Sequence, residues 1–205
     1  MKEISMKKKV LFLAVAACLV LGSLAVSDDG FKPIFDGKTL DGWKVNEDGT
    51  GFKVEDGAIT GRGGRCHVFY VKEELKDFEL KVDIKINEGG NSGVYFHTAY
   101  QQEGWPEAGH EVQVNATHRD PVKTGSLYNL VKLFESAGKP DEWFTMHIVV
   151  IGDTFRVSVN DKVLYEYVQP PGVTIPRRIN KGVIAFQQHD PGSVVRYRNI
   201  LLKKL

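Results

Sequence analysis

Almost every segment after residue 30 alternates apolar and polar side chains at a period of two, and no window sustains the three-to-four spacing of an amphipathic helix. The stretch DFELKVDIKI is representative. Phe78, Leu80, Val82, Ile84 and Ile86 fall on one side and Glu79, Lys81, Asp83 and Lys85 on the other, which predicts a strand with one buried face and one wet face whose opposite charges neutralise each other. WFTMHIVVIGDTFRVSVNDKVLYEYV is a β-prone run interrupted at Gly152-Asp153 and Asn160-Asp161, so it predicts a three-strand meander. Further strands are expected in FKVEDGAITG, HVFYV, SGVYFHTAY, HEVQVNA, KGVIAFQQH and SVVRYRNILL, for about ten in all. The predicted fold is all-β, an antiparallel sandwich or jelly roll. Residues 117–142, with Pro121, Gly125, Gly138 and Pro140, are too long for a hairpin loop and are expected to carry binding work.

The amino end breaks this pattern. MKKKVLFLAVAACLVLGSLA has a basic start, an apolar run from Val10 and small residues at Ser23 and Ala25, the organisation of a secretory signal peptide over residues 1–25. Residues 26–205 then form one domain, secreted or periplasmic. Val15-Ala16-Ala17-Cys18 also reads as a lipoprotein cleavage box, which would instead tether the domain to a membrane through a lipid on Cys18. No later segment is apolar for long enough to span a bilayer as a helix.

Composition narrows the function classes. The 205 residues are 42% hydrophobic and 26% charged, which is the balance of a globular protein rather than a disordered one. Setting residues 1–25 aside removes Lys2, Lys7, Lys8, Lys9 and Glu3 and turns the formal charge of +1 slightly negative, so there is no electrostatic case for a nucleic acid or an anionic lipid surface. Cys66 is then the one remaining cysteine, no internal disulfide can form, and stability must come from the core.

Familiar catalytic signatures are absent: there is no GxSxG elbow, no phosphate loop and no HExxH pair. Cys66, at a strand start, reads as a small buried hydrophobe. The six histidines show no tight ligand spacing, which argues against zinc, and no cofactor is expected. Calcium stays open, because its oxygen ligands can be gathered from dispersed loops.

Period two makes GHEVQVN (109–115) informative. If Val112 and Val114 face the core, then Glu111, Gln113 and Asn115 share the outer face. In VIAFQQHD, Ile184 and Phe186 oppose Gln187 and His189; in SGVYFHTAY, Val94 and Phe96 oppose Gly93, Tyr95 and His97. Three strands thus offer a carboxylate, amides, imidazoles and a phenol to one surface. The plain alternative is that these are the wet sides of half-buried strands. Yet the outer face of DFELKVDIKI is charged, whereas this face carries the short polar groups and ring expected of a sugar-binding hollow.

FKPIFDGKTLDGWKV, DFELKVDIKI, NSGVYFH, GHEVQV, TGSLYNL, DEWFTMHIVV, GVIAFQQH and VVRYRNILLKKL resemble, in that order, the 3-keto-disaccharide hydrolase domain family from about residue 31 to the carboxyl end. Departures fall at Trp143-Phe144 and Asn160-Asp161. The resemblance implies a concanavalin A-like jelly roll of the lectin and glucanase type, secreted by bacteria, that cleaves glycosides already oxidised to a ketone at C3, with the E-x-Q glutamate, Glu111, in the site. It also makes sense of a strand that lacks a second carboxylate. An ordinary glycosidase flanks the scissile bond with two, whereas a C3 carbonyl acidifies the C2 proton, so one base can form an enolate that expels the C1 aglycone before water adds back.

Such a route needs a base with its pKa raised by partial burial and donors aimed at the enolate oxygen. Glu111 is the expected base. His189, Gln187, His97, Gln113 and Tyr128 are the candidate donors, with His189 ranked beside Glu111 as catalytic; Tyr95 lies on the same face. Arg198 either holds a sugar hydroxyl or anchors a loop. The competing expectation is a lectin-like module that binds carbohydrate without chemistry, or a relative that keeps the scaffold without the activity.

Overall fold

The computed structural model describes residues 29–172 and 180–205. The expected signal peptide and Cys18 lie outside the described residues. Within them are thirteen strands: β1 (Lys32–Pro33), β2 (Trp43–Val45), β3 (Phe52–Glu55), β4 (Ala58–Gly61), β5 (Cys66–Leu75), β6 (Phe78–Ile86), β7 (Ser92–Thr98), β8 (His110–Val114), β9 (Phe144–Ile151), β10 (Thr154–Val159), β11 (Lys162–Val168), β12 (Gly182–Gln188) and β13 (Val195–Lys204). The count exceeds the expected ten because FKVEDGAITG folds back on itself at Asp56-Gly57, both at positive φ, and because β1 and β2 are too short to show a period.

All pairings are antiparallel and form two sheets. One runs β11-β10-β9-β6-β13-β4-β3, with β1 added on β13; the other runs β2-β5-β12-β7-β8. The meander β9-β10-β11 turns where expected, with Gly152, Asn160 and Asp161 at positive φ. The sheets face each other across a core of Leu80, Val82 and Ile84 from β6, Ile148 and Val150 from β9, and Val94, Val112, Ile184 and Phe186 from the second sheet, all fully buried. The fold is an antiparallel β-sandwich of the jelly-roll kind, and the alternation of β6 and β8 is realised as the sequence predicts.

Tyr197 of β13 ties the two sheets beneath β7 and β12. Its ring stacks on Phe186 at 4.0 Å and 9°, and its hydroxyl meets Ser92 Oγ at 2.5 Å. Because Ser92 donates its own proton to the Gln187 carbonyl, the phenol must be the donor in that pair. Burial pushes the phenol pKa up and keeps it protonated. Tyr197→Phe removes one net hydrogen bond without removing the ring, so a loss of about 1 kcal/mol in urea unfolding is expected, with the denaturant slope unchanged.

Candidate active site

The outward face of β5, β12, β7 and β8 carries the site. Antiparallel register sets Tyr95 opposite Glu111 and Gly93 opposite Gln113, and Gln187 opposite His67. Cross-strand neighbours lie close enough for side chains to touch, and here they do. Glu111 is only 6% exposed. Its Oε2 accepts the Tyr95 hydroxyl proton at 2.8 Å, and its Oε1 accepts from Gln187 Nε2 at 3.2 Å. Gln187 Nε2 also donates to the Tyr95 oxygen at 2.9 Å. The carboxylate is thus held from two strands. It lies flat across β7 because residue 93 has no side chain: a Cβ on Gly93 would overlap Glu111 Oε1 and sit 2.8 Å from its Cγ.

Above this floor is a hollow of about 210 Å³, the scale of one sugar ring. Tyr95, Glu111, Gln113 and Gln187 line it together with buried Asn91, which accepts from Gln113 Nε2 at 2.6 Å, and part-exposed His189. Two loops supply the walls. Residues 123–128 run along the edge of β8, with Gly125 N–H donating to Gln113 O, Gln113 N–H to Ser126 O, and Tyr128 N–H to Glu111 O, each at 2.9 Å. This places Tyr128, 37% exposed, beside the carboxylate. The same long loop brings Asp120 to the hollow. On the other side stands Trp105, whose loop is pinned by Glu47: its carboxylate accepts from Gly104 N–H and from Arg65, both at 2.9 Å.

Two imidazoles have contrasting surroundings. His67, fully buried under Trp105 and against Tyr95, has no hydrogen-bond partner on either ring nitrogen. Burial, then Arg65 and His189, pushes its pKa down to about 3, so it is neutral and cannot supply a proton near pH 7. His189 is part-exposed at the hollow and bonded through Nδ1 to Asp190 Oδ2 at 2.8 Å.

The structure therefore brings together Glu111, Gln113, Gln187, Tyr95, Tyr128 and His189. It corrects two other expectations. At His97, which has a φ of 53°, a register shift between β7 and β12 interrupts the alternation; the ring turns to Phe78 and Phe96, and Nε2 meets the Lys76 carbonyl at 2.7 Å. His97 is therefore no donor to the hollow. Arg198 does alternate outward, but from the other sheet: it lies over the Trp143 ring at 3.9 Å with Asp83 beside it. It does not line the hollow, and of its two expected roles the structural one is the one these contacts fit. Asn115 is likewise spent within the long loop, donating to the Asp120 and Val122 carbonyls and accepting from His118 N–H.

Trp105, Asn91 and Asp120 are the lining residues that periodicity misses, because all three sit outside strands; the one signal was an aromatic in a turn-rich segment, Gly104-Trp105-Pro106. Cys66 is buried, its thiol pushed up to about 12 by burial and by Asp48 and Glu47, as suits an inert core residue. Among the described residues no three His, Cys, Asp or Glu side chains converge on a point that would hold a metal ion.

The fold and site together are an antiparallel β-sandwich with a polar, aromatic-walled hollow on one outer sheet face, a concave site of the kind in which a small molecule binds. Residues 30–203 match the family described as the 3-keto-alpha-glucoside-1,2-lyase-like domain, and the chain belongs to that family. It is 30% identical over 177 residues to a Bacteroides thetaiotaomicron protein named 3-keto-disaccharide hydrolase, an alignment covering 70% of this chain and 60% of that relative. A solved structure from Parabacteroides distasonis, named as a candidate glycosyl hydrolase, superposes with a TM-score of 0.73 at 25% identity, over 86% of this chain and 94% of that one. The carbohydrate-binding module CBM66 of Bacillus subtilis shares the fold at a TM-score of 0.59 and 13% identity, over 80% of this chain and 96% of the module.

Proposed function

We propose that this chain is an exported carbohydrate hydrolase for glycosides carrying a ketone at C3, with Glu111 as the base that removes the C2 proton. The observation that carries this reading is the Glu111 carboxylate, fixed by Tyr95 and Gln187 on the floor of a hollow sized for one sugar ring. A base must be placed within hydrogen-bond reach of the proton it takes, and two donors from separate strands hold this one to a single orientation. Tyr128 and Gln113 line the same space, and the Tyr128 hydroxyl, with the Gln113 amide hydrogen not given to Asn91 Oδ1, would supply donors for the oxygen on which charge develops. The family and the named Bacteroides relative support the substrate class.

A second reading rests on Asp120, a carboxylate that the long loop adds to the hollow. Together with Glu111 it would make the two-carboxylate arrangement that cleaves an unoxidised glycoside directly. One experiment separates the readings. With a 3-keto-glucoside in heavy water, NMR should show exchange at C2 together with release of the aglycone, while the parent glucoside stays intact. Cleavage of the parent, abolished in Asp120→Asn, would favour the second reading instead. Binding with neither exchange nor cleavage would leave a lectin.

A further inference from the structure

Elimination from C2 and C1 needs a second proton transfer that the base does not perform. When the C1–O bond breaks, its electron pair goes to the aglycone oxygen, and an alkoxide or sugar leaves poorly unless that oxygen is protonated as it departs. We propose that His189 is the acid that protonates the aglycone, and that Asp190 is the positioning residue that makes it one. This rests on the reading of Glu111 as the base.

The geometry is specific. Asp190 Oδ2 can only accept, so at 2.8 Å the His189 Nδ1 must carry its proton toward it, which leaves Nε2 as the reactive nitrogen. That nitrogen has no hydrogen-bond partner among the described residues, and the side chain lines the hollow containing Glu111. The indole of Trp105 lies against the ring at 5.1 Å, limiting its rotation. Asp190 is itself held: Gly192 N–H donates to Oδ1 at 2.8 Å. His118 stands behind it with Nε2 4.0 Å from Oδ2, and because His118 Nδ1 accepts from Asp120 N–H at 3.1 Å, the proton is on the side facing Asp190. Burial raises the Asp190 pKa, but the His189 bond and Gly192 N–H outweigh it, so the carboxyl is held below its ordinary value and stays an anion able to support an imidazolium.

The protons balance over one turnover. In elimination Glu111 takes the C2 proton, the C1–O bond breaks, and protonated His189 gives its Nε2 proton to the aglycone oxygen. The products at that stage are a free aglycone, an enone in the sugar ring, neutral His189 and protonated Glu111. In hydration His189 Nε2 takes a proton from water, the water oxygen bonds to C1, and Glu111 returns its proton to C2. The site is reset and the net reaction consumes one water.

An acid matters only when the leaving group is poor, and that supplies the test. First-turnover rates of aglycone release, which precede the hydration step, are compared for 3-keto-glucosides bearing 4-nitrophenyl and methyl aglycones in the unaltered protein, in Asp190→Asn and in His189→Gln. Both variants should lose about 10²-fold or more on the methyl glycoside, change by less than about threefold on the nitrophenyl glycoside, and keep C2 exchange in heavy water. Asn retains an acceptor for Gly192 N–H, so the turn is preserved. An equal loss on both aglycones, or no loss on the methyl glycoside, would overturn the assignment while leaving Glu111 in place. Absence of C2 exchange in the unaltered protein would overturn the base and, with it, the acid.

Discussion

Glu111→Gln is expected to abolish C2 proton exchange and aglycone release from a 3-keto-glucoside, by about 10²–10⁴-fold, the usual contribution of a positioned general base. The substitution is nearly isosteric, and the amide oxygen can still accept the Tyr95 hydroxyl where Oε2 now stands. In that orientation the new amide nitrogen meets Gln187 Nε2 donor to donor, whereas in the opposite one the amide oxygen accepts from Gln187 Nε2 as Oε1 does now and the nitrogen donates to the Tyr95 oxygen, which turns its own proton elsewhere. Folding and ligand binding should therefore survive, and a binding titration beside the exchange assay would show it. A variant that still exchanged the C2 proton at the normal rate would remove Glu111 from the chemistry.

Gly93→Ala should cost almost as much without touching a reactive group. Gly93 does not need glycine for its backbone, since it is absent from the positive-φ positions. Its value lies in the space that the Glu111 side chain occupies: an added Cβ overlaps Oε1 and crowds Cγ at 2.8 Å and Cδ at 2.9 Å. The carboxylate must then shift by about 1 Å, a misplacement that typically costs about 10² in rate. In the Glu111→Gln background the same substitution should cost nothing further in rate, a non-additivity measurable in a double-mutant cycle. An additive loss would mean that Gly93 acts on something other than this carboxylate.

The alternation of Phe78 to Ile86, and of Val112 with Val114, reports burial directly, so the sandwich and the outward direction of Glu111, Gln113, Gln187 and Tyr95 could be read from spacing alone. Two kinds of information are not in a period. A register shift changes the side to which the next residue points, and this is why His97 leaves the face that Tyr95 keeps. Periodicity also tells inside from outside but not one sheet from the other, so Arg198 shares the outward direction of Gln187 on the far side of the molecule. Trp105, Asn91 and Asp120 depend on loop paths fixed by contacts such as Glu47 to Gly104 N–H and Asn115 to the Asp120 carbonyl, which join residues with no common repeat.

Base and walls are anchored differently: the carboxylate and its donors come from paired strands, Tyr128 and Asp120 from a loop bonded to the edge and end of β8, and Trp105 from a loop tied down by Glu47. Directed evolution can exploit that separation. Libraries randomised at 103–107 would reshape the Trp105 wall while every clone inherits the same proton-abstracting apparatus, so altered substrate preference should be recoverable without first rebuilding activity.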